Sequence, residues 1–113
     1  MELPKTYDFI LWLLNHTESF PKSERFRLAR RLESPAFEFY DLLMKADRRP
    51  RRKQTILLDA DLTLEKLQLY IRISHDRRLT TPKQYQYASK KLLEIGNLLG
   101  GWLKSLSTAS RPS

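Results

Sequence analysis

Two histidines, His16 and His75, and no cysteines are what this chain offers for metal ligation or nucleophilic chemistry. Neither histidine has a second ligand at a helical spacing such as His-x-x-x-His, so no metal site is expected. His75-Asp76 has the composition of a relay, but such a pair more often closes the end of a helix. Asp59 and Asp61 are two positions apart and point to different faces of a helix, so they do not form a two-carboxylate site. No Gly-rich phosphate loop occurs, and no Ser or Thr has a base fixed beside it by sequence. Helical-bundle ribonucleases place an Arg shortly before a catalytic His. Here the positions upstream of His75 hold Gln68, Leu69 and Tyr70, and Arg72 stands too close. The reading is a non-enzyme with no catalytic residue, no cofactor and no metal.

The chemistry lies in the cations. Lys plus Arg number 21 against 13 acids, for a net charge of +8, and twelve of the 21 are arginines. Arginine grips a phosphate with two parallel hydrogen bonds, so this balance favours a polyanion partner over a merely solvated surface. The densest run is Arg48, Arg49, Arg51, Arg52 and Lys53, interrupted by Pro50. Smaller groups are Lys22, Arg25 and Arg27, and Arg77, Arg78 and Lys83. Tyr70, Tyr85 and Tyr87 could stack on bases, but tyrosines at helical spacing are more often core or interface.

Four helices must position these groups. The first, from about Tyr7 to Ser19, has Tyr7, Ile10, Leu11 and Leu14 on one face and Phe9, Trp12 and Leu13 on the other. A helix apolar nearly all round is buried on both sides, so Phe9, Trp12 and Leu13 are expected to meet another subunit. Phe20-Pro21-Lys22 is a tight link and Ser23 a good N-cap for a second helix reaching Ala46. Its apolar stripe reads Phe26, Ala29, Ala36, Phe37, Tyr40, Leu43 and Met44, and Pro35 predicts a kink, or a break near Ser34. The third helix, from about Arg52 to Arg77, carries two stripes. Leu57, Ala60, Leu64, Leu67 and Ile71 form one. Leu58, Leu62, Leu69 and Ile73 form the other, and a second stripe again implies a subunit contact.

Thr81-Pro82 opens the fourth helix, with Thr81 as N-cap and Pro82 at the first helical position. Tyr85, Ala88, Leu92, Ile95, Leu99, Trp102, Leu103 and Leu106 then recur on one face. Gly96, Gly100 and Gly101 suggest that another backbone comes close, or that the helix ends there. The expected fold is all-α, an up-down-up-down four-helix bundle over residues 1–106, with a frayed tail at 107–113. In that topology Lys22, Arg25, Arg27, Arg77, Arg78 and Lys83 gather at one end. The Arg48–Lys53 run gathers at the other, near Lys5 and Lys104. No apolar run reaches the roughly 18 residues a membrane span needs. No signal-peptide cleavage pattern follows Lys5, and the lack of cysteine fits a reducing, cytoplasmic setting.

Certain motifs also resemble a family. Tyr7-Asp8 with the leucine-rich helix and Phe20-Pro21, His75-Asp76, Tyr85, Glu94-Ile95-Gly96 and Leu99-Gly100-Gly101-Trp102 resemble the accessory variability determinant (Avd) proteins of diversity-generating retroelements. That family sits among the four-helix-bundle proteins encoded in 23S rRNA intervening sequences. The resemblance covers about Leu3 to Ser105. It implies a barrel-like homopentamer with a basic surface and no catalytic role of its own. The implied partners are the element's reverse transcriptase and its RNA or DNA, and the implied role is support of error-prone copying of a template repeat. The alternative is a structural or protein-only interaction bundle whose basic ends meet an acidic partner.

Overall fold

Apolar residues at three- and four-residue steps build the three later long helices, and a mixed apolar and polar face builds the first. The computed structural model describes these elements over residues 3–109, with side-chain surroundings from 4 to 107. The order is α1 (Leu3–Glu18), a one-turn α2 (Lys22–Arg25), α3 (Leu28–Arg48), a 3-10 turn at Pro50–Arg52, α4 (Lys53–Asp76) and α5 (Pro82–Ala109). No strand occurs among the described residues. The five residues between α4 and α5 reach about 18 Å at most. Helix α4, with 24 residues, is about 36 Å long. A link that short cannot carry the chain back along the bundle, so neighbouring helices run antiparallel. Helix α3 packs on α4, α4 on α5, and α1 on both α3 and α5, which closes the bundle. The body measures 54 × 22 × 20 Å.

The core follows strict periodicities. On α3 the buried residues are Ala29, Leu32, Ala36, Phe39, Leu43 and Ala46, at steps of three, four, three, four and three, with Leu28 at the start. Phe26, Phe37 and Met44, read from sequence as part of this stripe, are exposed, and Phe26 is 79% so. Phe37 and Met44 each follow a buried residue, Ala36 and Leu43, by one step of about 100°, which turns them outward. For Phe26 the cause is local. The helix breaks at Phe26–Arg27, where Arg27 adopts φ −109° and ψ −95°. Ser23 lies inside α2 and does not cap it; Pro21 occupies that position. Pro35 neither breaks α3 nor ends it. It lies buried within a continuous helix. Its missing N–H leaves the Arg31 carbonyl without its usual partner, while the rest of the ladder continues.

On α1 the buried face is Thr6, Phe9, Ile10, Leu13, His16 and Thr17, while Tyr7 and Leu11 are exposed. Phe9 and Leu13, expected at a subunit contact, are 4% and 1% exposed within the single chain. Trp12 packs on the same core, tilted against Tyr87 and stacked on His16. Phe9 and Leu13 are therefore consumed inside the bundle, while Trp12 stays partly exposed. Three polar positions on the buried face blur the apolar stripe that would have marked it. On α4 the Leu57, Ala60, Leu64, Leu67 and Ile71 stripe is buried as expected.

His16, Thr80 and Ser74 form one chain of buried hydrogen bonds. Ser74 Oγ donates to the Ile71 carbonyl at 2.7 Å. The Thr80 hydroxyl, 2.7 Å away, must then donate to Ser74 Oγ. His16 Nε2–H therefore donates to Thr80 Oγ1, at 2.8 Å. Burial pushes the His16 pKa below the usual range. Thr17 adds a hydrogen bond from α1 to Glu33 of α3.

Helix α5 opens with a capping box. The Gln84 N–H donates to Thr81 Oγ1 at 3.1 Å, and the Thr81 N–H donates to Gln84 Oε1 at 2.9 Å. The glycines do not end this helix, which runs on to Ala109. Only Gly96 meets a close neighbour, and that is the Leu64 side chain, 3.3 Å from where a Cβ would stand. Gly100 and Gly101 face open space. Helix α5 also takes in residues expected to fray after 106; positions 110–113 of that tail lie outside the described residues.

Candidate nucleic-acid interface

The α3–α4 link carries the first cationic cluster. Pro50 at the start of the 3-10 turn fixes the backbone there, and Arg52 N–H closes the turn on the Arg49 carbonyl at 3.0 Å. Arg48, Arg49, Arg51 and Arg52 are all exposed, and no ion pair involves them among the described residues. Lys53 is partly buried and sits 3.9 Å from Asp47. Arg51, Arg52 and Lys53 crowd the positive end of α4, and the first turn of that helix holds no acid. Each such cation costs about 0.3–1 kcal/mol in a free helix. The same arrangement favours a bound phosphate.

The second cluster forms at the opposite end, where α2, the end of α4 and the start of α5 converge. Glu24, only 5% exposed, holds it together. Its carboxylate lies 3.4 Å from Arg27 and 3.3 Å from Arg77, tying the α2–α3 corner to α4. Arg27 and Arg77 are thus positioned by an internal pair. Lys22, Arg25, Arg78 and Lys83 are exposed around them. His75 stacks on Tyr85 with ring centres 4.5 Å apart and lies 3.6 Å from Asp76, at the C-terminal end of α4.

Arg78 has an unusual backbone. Leu79 N–H donates to the Ser74 carbonyl at 2.8 Å and Arg78 N–H to the His75 carbonyl at 2.9 Å. That pattern is a Schellman motif, and it puts Arg78 at φ 64°, a place glycine normally fills. Holding an arginine there costs about 1 kcal/mol. Replacing Arg78 by Gly is expected to stabilise the fold by about 1 kcal/mol in urea denaturation, while removing one charge from this cluster.

The molecule is a basic four-helix bundle with arginines clustered at both ends. A family model described as bAvd-like matches residues 1–106. The chain belongs to the bAvd-like family. No curated protein and no solved structure was found to match it. The match spans the whole region that carried the Avd resemblance. It includes the Gly96–Trp102 segment, which in the bAvd-like chain lies inside α5.

Beyond the two predicted clusters, the bAvd-like chain has a third that the sequence did not reveal. Arg30, Arg31 and Lys66, with Phe26 and Tyr70, line a groove of about 470 Å³ between α3 and α4. The second stripe of α4 lies beside it. Leu58, Leu62 and Leu69 are 53%, 54% and 54% exposed, while Ile73 packs partly on the core. Among the described residues no three His, Asp or Glu side chains gather as a metal would require. No helix of the described residues is long and apolar enough to cross a membrane.

Proposed function

We propose that this bAvd-like protein is a non-catalytic accessory factor of a diversity-generating retroelement. It holds the element's template RNA or its DNA through its arginines and presents it to the reverse transcriptase during mutagenic copying. It acts in the cytoplasm as a homo-oligomer, a pentamer by likeness to the family, with Leu58, Leu62 and Leu69 at the contact between copies. The observation that carries this reading is the family match over residues 1–106, on a chain of net charge +8. The exposed arginines at both ends supply the chemistry such a role needs.

A second reading has its own support. The leucine strip on α4 suits a protein partner whether or not nucleic acid binds. A titration of the protein with structured RNA at rising salt separates the two. Binding that weakens tenfold or more between about 50 and 200 mM salt is expected if several phosphates are engaged. No binding at the lowest salt, with a self-associated species by light scattering, would leave only the protein-interaction module.

A further inference from the structure

We infer that the α3–α4 groove is a seat for an unpaired stretch of nucleic acid, with a base stacked on Phe26 and its neighbouring phosphates held by Arg30, Arg31 and Lys66. This rests on the nucleic-acid reading above and adds to it the strandedness of the ligand. Phe26 stands at the α2–α3 corner with 79% of its surface exposed. A lone exposed aromatic needs no explanation. This one lies between two grooves. One, of about 470 Å³, takes in Arg30, Arg31, Lys66 and Tyr70. The other, of about 400 Å³, shares Phe26, Arg27 and Arg31 and continues to Ile73 and Arg77.

The two helices supply matching rows. From the residue before α3, Arg27, Arg31 and Glu38 recur at helical steps, and so do Lys66, Tyr70 and Ile73 on α4 with Arg77 just past its end. From Lys66 to Arg77 the row is about 16 Å long at 1.5 Å per residue. Two acids adjoin it. Glu24 is already engaged by Arg27 and Arg77. Glu38 at the far end of the groove cannot favour a phosphate, but it can accept a hydrogen bond from a base amino group.

This combination selects a single strand. The bases of a duplex are paired and stacked on one another, and so are unavailable to Phe26. An unpaired base stacks on any aromatic face while arginines track its backbone. An acidic peptide would use the cations but gain little from Phe26.

The test compares an unpaired oligoribonucleotide with a duplex of equal length, on the full chain, for the wild type and for Phe26→Ala and Phe26→Trp. Phe26→Ala is expected to weaken the single strand by about five- to a hundredfold and the duplex by less than twofold. Phe26→Trp should restore single-strand binding. Arg30→Glu with Arg31→Glu should lower the salt dependence of single-strand binding by one to two counterions. Because Phe26 is exposed, the melting temperature of the alanine variant should match the wild type. Equal single-strand affinity for Phe26→Ala and wild type overturns the inference and leaves the proposed function standing. So does equal competition by polyglutamate in both proteins, or loss of the oligomer in Phe26→Ala. Absence of any wild-type binding removes both readings.

Discussion

Reversing Arg48, Arg49, Arg51 and Arg52 to Glu together should weaken nucleic-acid binding severely without unfolding the bundle. The four side chains are exposed. The change takes the net charge from +8 to zero. Four lost phosphate contacts, plus repulsion from four new carboxylates, predict an affinity loss above about a hundredfold at moderate salt, with the salt slope reduced by up to about four. Stability should move little. A carboxylate at positions 51 and 52 complements the positive end of α4, gaining about 0.3–1 kcal/mol each, and one at position 48, in the last turn of α3, loses a similar amount. Filter binding across a salt series and a thermal melt check both halves. Unchanged affinity at low salt would mean that the α3–α4 link is not the contact.

The largest expected loss of stability follows from Phe39→Ala. Phe39 is 2% exposed at the point where all four long helices meet. Around it lie Phe9 and Ile10 of α1, Leu64 and Leu67 of α4, and Leu92 and Ile95 of α5, enclosing a space of only about 10 Å³. Truncation enlarges a void that four helices cannot close at once, because each is pinned by the others. The expected cost is about 3–5 kcal/mol, measured as a shift in the urea midpoint at constant slope. Domains typically have a total stability of about 5–15 kcal/mol, so a loss of this size is a large fraction of it. A cost below about 1 kcal/mol would show that the core is looser than its burial indicates.

What was legible in the sequence depended on how cleanly each helix segregates its residues. Helix α4 repeats leucine and alanine at fixed steps, so both its buried stripe and its exposed one were readable. Thr81-Pro82 named the start of α5, because a cap is a local matter between residues three apart. Helix α1 misled because the buried face carries Thr6, His16 and Thr17, and the satisfaction of His16 by Thr80 and of Thr17 by Glu33 is visible only in three dimensions. The break at Phe26–Arg27 was missed for the same reason. The Glu24 pairing with Arg77 joins residues 53 positions apart. Pro35, the obvious breaker, was tolerated where an unremarkable Phe-Arg step was not. The Arg48–Lys53 cluster was legible as a run of like charge, and the other followed from the up-down-up-down topology, which brings residues 22–27 beside 77–83. The groove was not legible, because Arg31 and Lys66 become neighbours only when α3 and α4 pack side by side.

The length of α4 also sets a spacing between the two arginine ends. With 24 residues between the links, at 1.5 Å each, they stand about 36 Å apart. That is close to the roughly 34–36 Å pitch of B-form DNA. On the function proposed above, a double helix laid along the bundle would offer both ends the same groove edge, one full turn apart, and a backbone held at one end would meet the other in register.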